Sequence, residues 1–220
     1  MFAEAETFNG DINTKIIKDD NGNYLYTAWD TSNVTNMQAM FLSDHNFNGD
    51  ISNWNVSKVK NMSFMFSEAI NFNGDISNWN TSNVTNMKHM FSRAESFEGN
   101  ISNWDTSNVE NMEGMFWFTL VFDDNINTKL LDNEKIAWDT SNVTNMSKMF
   151  SYADSFKGNI SNWNVDNLLI MIDMFKHIEF DYNTINTKSC FLNGKFSHIA
   201  WNINPDLIIH NIDIIENRLN

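Results

Sequence analysis

The chain has 220 residues and a formal net charge of −14 at pH 7, with 14 lysines and arginines against 28 aspartates and glutamates. That balance lacks the basic stripes that neutralise phosphate, so it speaks against nucleic acid and against docking on anionic lipid. No apolar run approaches the roughly 18 residues of a membrane-spanning helix, and one cysteine, Cys190, leaves neither an intrachain disulfide nor a cysteine metal cluster.

From the first residue the chain is in register with itself. The opening MFAEAETFNG matches residues 90–99, and Met1 holds the second methionine of a recurring MxxMF. Residues 1–7 thus read as a partial repeat, and the array is expected to extend beyond this chain, unless the half-repeat serves as a crude cap. Repeats start near 8, 47, 72, 97, 122 and 156. A degenerate repeat and an Ile-rich cap follow over 180–220, so residues 1–220 read as one repeat solenoid. Trp54, Trp79 and Trp104 are spaced by 25 residues, a period that marks units too small to close a core alone.

The unit from Ile76 to Gly99 reads IxxWx[VT]xxVxxMxxMFxxAxxFxG. Trp79 and Thr81 alternate with period 2, which predicts a short strand, laddered in parallel with its copies. Val84, Met87, Met90, Phe91 and Ala94 step by three and four, which predicts a helix of two to three turns, with Thr81 or Ser82 as N-cap. Gly74 and Gly99 are expected to supply positive φ where the chain turns back. The fold class expected is α/β, a right-handed leucine-rich-repeat-like solenoid with a parallel strand ladder on one side and short helices on the other.

Asparagine forms columns at Asn36, Asn61, Asn86, Asn111 and Asn145, and at Asn53, Asn78, Asn103 and Asn162. These read either as a sugar- or metal-binding row or as amides satisfying backbone groups at the bends, the second being the simpler account. Asp11, Asp50 and Asp75 follow the glycines, but their column turns to asparagine at Asn100 and Asn159, which argues against calcium. His45, His89, His177, His198 and His210 show no ligand spacing and read as surface residues. No nucleotide-binding loop or hydrolase motif is present.

Three repeats are interrupted. They read INTK at residues 12–15, 126–129 and 185–188, each followed by an extra segment before Trp29, Trp138 and Trp201. Asn21-Gly22 and Asn193-Gly194, with Asp132-Asn133 as a weaker version, predict three β-hairpins. These either widen the edge or carry partner specificity. Around residue 117 the repeat departs again, as MFWFTLVF; Trp117 and Phe118 either cover the neighbouring hairpin or form an exposed aromatic patch.

The unit DISNWNTSNVTNMKHMF, followed by A-x-x-F-N-G, resembles the roughly 26-residue repeat of BspA-like leucine-rich-repeat surface proteins and lipoproteins of mycoplasmas, listeriae and lactobacilli. The resemblance implies a cell-surface or extracellular repeat protein with adhesion or host-interaction roles. Together with the absence of catalytic motifs, it gives the expectation of a non-enzymatic module without cofactor or metal, binding a protein or glycan partner. The strip between Trp and Val/Thr, Asn55, Asn80, Asp105, Asp139 and Asn164, is the expected contact face, with Trp117 and Phe118 as a second candidate. The alternative is a structural spacer displaying another domain.

Overall fold

The computed structural model describes residues 2–5, 8–132 and 134–178, together with the backbone of Thr187–Leu192 and Lys195–Ala200. The expected α/β leucine-rich-repeat solenoid is overturned. Among the described residues there is no helix, and strands occur only in three two-stranded antiparallel sheets. Contact between successive repeats is parallel but reduced to isolated bridges, from Asn36 through Asn61, Asn86, Asn111 and Asn145 to Ile170. The Trp-x-Val/Thr segments are not strands, although Trp79 and Thr81 are both buried.

The reason lies in where the N–H groups go. A helix sends each one back four residues. Here Met90 donates to Met87 O (3.1 Å), Ser92 to His89 O (3.2 Å) and Ala94 to Phe91 O (3.0 Å), closing turns. The residues in between leave the coil: Met87, His89, Phe91 and Arg93 donate to the carbonyls of Asn111, Glu113, Met115 and Trp117 in the next repeat, at 2.7–3.0 Å. The alternation is maintained by left-handed residues at His89 (φ 52°) and Arg93 (φ 58°), and their counterparts recur in the other coils, for example Phe64 and Glu68. Ile76–Trp79, Thr81–Val84 and Ala94–Phe97 close further turns. Chained turns place inward residues three apart, the same step a helix gives, and that is why the apolar spacing reads as helical.

Neither expected cap forms. The Thr81 hydroxyl donates to Asp105 O of the next coil (2.9 Å), while Ser82 Oγ donates to Asn80 Oδ1 (2.7 Å). Each Trp indole reaches the other way: Trp54 Nε1 donates to Ile12 O (2.8 Å), Trp138 Nε1 to Ile101 O (2.9 Å) and Trp163 Nε1 to Ile126 O (2.7 Å). Where both are present, as in the coils of Trp79, Trp104 and Trp138, Thr and Trp stitch a coil to both neighbours; Val56 and Val165 take the Thr position in two other coils.

The core is a double column of rings. Phe41, Phe66, Phe91, Phe116, Phe150 and Phe175 stack along one column with centroids 5.5–5.8 Å apart. Phe47, Phe72, Phe97, Phe122 and Phe156 form the second, at 5.8–6.2 Å. Within a coil the two rings meet at about 4 Å, as Phe66–Phe72 (3.9 Å) and Phe91–Phe97 (4.0 Å) show. The second ring explains the glycine two residues on, and not by positive φ: neither Gly74 nor Gly99 has one. A Cβ on Gly99 would lie 2.6 Å from Phe97 Cε2, so glycine is there to let the ring lie flat against its own backbone.

The hairpins form where the interruptions predict them. β1 (Lys15–Lys18) pairs with β2 (Tyr24–Ala28), β3 (Lys129–Leu130) with β4 (Ile136–Ala137), and β5 (Thr187–Leu192) with β6 (Lys195–Ala200). The first turn carries Gly22 at φ 82°, and Asp19 Oδ1 accepts from the N–H groups of Asn21 and Asn23. The first two hairpins are each tied off by a threonine, Thr14 to Trp29 O (2.8 Å) and Thr128 to Trp138 O (2.6 Å). Their side chains stand clear of the core, as at Ile16, Tyr24, Tyr26 and Leu130. The opening residues join the stack in register, with Phe2 N donating to Met40 O (2.9 Å) and the Phe2 ring on Phe41. The expected Ile-rich cap over 205–220 lies outside the described residues.

One core position is discordant. Asp44 occupies the column of Ala69, Ala94 and Ala153 and is fully buried; the Asn46 and Phe47 N–H groups approach its carboxylate, but no donor reaches either oxygen in full hydrogen-bonding geometry. Burial pushes its pKa up to about 6, against weaker opposing pulls from the Asn46 N–H, the neighbouring His45 and the Phe47 N–H. A folded pKa above the unfolded one means that the folded state holds the proton more tightly. The Asp44 contribution to stability is therefore greatest below the unfolded pKa of about 4, declines as pH rises through the window up to about 6, and is constant above it. Asp44→Ala is expected to add on the order of 1–3 kcal/mol at pH 7 and to flatten that decline, read from thermal melts at pH 4, 5, 6 and 7. A less stable variant at pH 7 would contradict this account.

Because the Phe rings stack down the columns and Trp79 reaches one neighbouring coil through its indole N–H and the other through Trp104, stability is expected to be shared. Trp79→Ala removes a large side chain and the hydrogen bond to Ile51 O, at a cost of about 3–5 kcal/mol. Hydrogen exchange should show protection falling together in the coils around residues 51–72 and 101–122. A loss confined to residues 76–99 would show that the coils are energetically independent.

Candidate functional site

The predicted polar strip lies at bends, with its side chains turned to local work. Asn80 Oδ1 accepts from Ser82 N and Oγ at 3.2 and 2.7 Å, and Asp105 Oδ1 from Ser107 N and Oγ at 3.1 and 2.6 Å. Asn55 makes the same pair with Ser57, while Asp139 accepts from Ser141 N and Asn164 from Asp166 N. All five are exposed or half-buried and lie along one corner of the stack. The central Asn column behaves alike: Asn61, Asn86, Asn111 and Asn145 each accept from the N–H two residues on, at 2.9–3.0 Å. This is the backbone-satisfying account of those amides.

The aspartates after the glycines are spent in the same way. Hydrogen bonds from Ser52 N and Oγ hold Asp50 below the ordinary carboxylate range, and those of the Ser77 hydroxyl and N–H hold Asp75 there. Among the described residues no group of three His, Cys, Asp or Glu is placed to hold a metal ion, and no helix is long and apolar enough to cross a membrane.

Trp117 and Phe118 are different. Both are half-buried, and their ring contacts run along the stack. The Arg93 guanidinium lies over the Phe118 ring at 5.2 Å and the Trp117 ring at 5.5 Å, and Lys148 Nζ lies 5.9 Å from the Trp117 centroid. Phe118 stacks on Tyr152 at 4.2 Å, and Tyr152 on His177 at 4.3 Å. Among the described residues neither Arg93 nor Lys148 makes an ion pair with a carboxylate, whereas Lys88 pairs with Glu113 at 2.9 Å and Lys176 with Asp173 at 3.2 Å. The face thus combines planar rings with two cations of unspent charge, in a chain that is acidic as a whole.

Sequence reasoning identified Trp117 and Phe118 but missed Arg93, Lys148, Tyr152 and His177. Register would have found them, because Arg93, Phe118, Tyr152 and His177 occupy one left-handed position in successive coils. The reading of His89 as a surface residue is also corrected. Its side chain is only 14% exposed, stacked on Phe64 at 5.0 Å and meeting the edge of Trp117 at 5.8 Å. Burial lowers its pKa, against the opposing pull of Glu113. Its place depends on Gly114, which combines φ 58° with a position where a Cβ would come within 2.2 Å of the His89 ring. Gly114→Ala is therefore expected to cost more than about 1 kcal/mol and to displace His89 from beneath Trp117. Thermal melting and Trp fluorescence report the two effects, and an unchanged melt would refute the packing argument. His45 is half-buried and His177 exposed, while the side chains of His198 and His210 lie outside the described residues.

The model of the family described as "Mycoplasma protein of unknown function, DUF285" matches residues 1–129 and again 121–190. No curated protein and no solved structure matches the chain.

Proposed function

We propose, from the premise that the chain belongs to this Mycoplasma family of unknown function, that it is a non-enzymatic, surface-exposed repeat module that binds a protein or glycan partner of a host or matrix. The carrying observation is the Trp117 face. Trp, Tyr and Arg are the side chains that most often anchor interfaces, because large rigid area and multivalent donors are gained at little entropic cost. Here Trp117, Tyr152 and Arg93 lie together on a rigid stack, held by contacts that leave Arg93 and Lys148 free of carboxylates among the described residues.

A second reading, a spacer that displays another domain, is favoured by the strip, where Asn80 and Asp105 are already engaged with their own serines. One binding experiment separates the two. Attachment to host cells or matrix is compared for the unsubstituted chain, for the Trp117→Ala/Arg93→Ala pair, and for Asn80, Asp105 and Asp139 replaced together by alanine. The expected result is at least a tenfold loss for the pair and little change for the triple variant, with both melts cooperative. Full attachment by a folded pair variant would remove this face from consideration. No attachment by any of the three would favour the spacer.

A further inference from the structure

We propose that an open groove along the corner of the stack, separate from the Trp117 face, binds an extended peptide segment bearing lysine or arginine. The groove has a volume of about 510 Å³ and is lined by Asn108, Asn142 and Asn167 from three successive coils, with Glu110, Thr85 and Thr144 between them. Its chemistry is weighted toward acceptors. The amide nitrogens of Asn108, Asn142 and Asn167 donate to Ser82 O, Ser107 O and Ser141 O, each at 2.7 Å. A carbonyl can only accept, so the nitrogen must face it, and each amide oxygen is left outward. Thr85 and Thr144 likewise spend their hydroxyl protons on Lys60 O (3.2 Å) and Glu110 O (3.0 Å).

What remains for a ligand is weighted toward acceptors: three amide oxygens, the hydroxyl lone pairs and the Glu110 carboxylate stand against the one remaining N–H of each amide, with no lysine or arginine in the lining. The Glu110 carboxylate and the excess of lone pairs disfavour anions. The lining matches N–H groups carrying positive charge. The acceptors repeat at the coil step, which the Phe column sets at 5.5–5.8 Å. Three coils thus span about 11 Å, the length of three to four extended residues. Leu169, exposed at the groove's end, suits the aliphatic stem of a lysine or arginine. The charge of −14 supplies the long-range attraction, while the acceptor row supplies selectivity.

The test uses a fluorescein-labelled peptide of alternating lysine and glycine, its lysine-acetylated form, and a neutral oligosaccharide of similar length, in anisotropy titrations of the 220-residue chain. Glu110→Lys places a cation in the groove. Glu95→Lys makes the same change of net charge on an exposed turn outside it. The lysine peptide is expected to bind at least tenfold more tightly than the acetylated peptide or the oligosaccharide. Glu110→Lys should weaken it at least tenfold and Glu95→Lys less than twofold, with both variants melting as the unsubstituted chain does. An equal loss in the two variants would assign the binding to bulk charge and overturn the proposal. Equal affinity for the acetylated peptide, or no binding by the unsubstituted chain, would overturn it as well.

Discussion

The structure depends on a division of labour among backbone N–H groups. Along residues 87–94, alternate donors close turns within the coil and the others cross to the next coil. Neither set alone would serve. Turns without the crossing bonds would be isolated loops, and crossing bonds without the turns would need extended strands. Together, with Asn86 Oδ1 accepting from Lys88, they satisfy every peptide N–H from Val84 to Ala94, and they hold the coils close enough for the Phe columns to stack. Hydrophobic burial then follows the geometry that the hydrogen bonds impose.

That division explains what could and could not be read from the residues. The period, the identical ring columns and the hairpins were legible, because each depends on local chemistry that recurs: Phe at a fixed register, or Asn-Gly between short apolar runs. The helix was misread because Val84, Met87, Met90, Phe91 and Ala94 have the same spacing whether one helix or a chain of turns presents them. What separates the two is the sign of φ at His89 and Arg93, and neither residue type announces a left-handed backbone. The glycines were misread for a related reason. Positive φ is the common use of glycine, but Gly99 is needed because the ring of Phe97 lies against it.

The Trp117 face was half legible. Its aromatics break the repeat and are conspicuous, whereas Arg93 and Lys148 look like ordinary surface cations in their own coils. They converge on one indole only because the stack brings residues 24 and 31 positions away to its flanks. In a stacked array, a surface is written across repeats and not within one, so a contact set is found by reading down a column.

The crossing bonds have an electrical consequence. In the segment from Met87 to Arg93, four N–H groups per coil point toward the following coil, and the carbonyls they meet point back. Fewer bonds run the other way, such as those from Thr85 N and Asn86 N to Lys60 O and from Ser96 N to Ile70 O, and they offset only part of this. Aligned peptide units add their dipoles, so the turn face of the stack is a polarised column. Its partial positive end lies toward the later coils, opposite to the sense of an α-helix. Each added coil lengthens that column and adds to its dipole moment, while the partial charges stay at its two ends, so the electrical character of the stack is concentrated in its first and last coils.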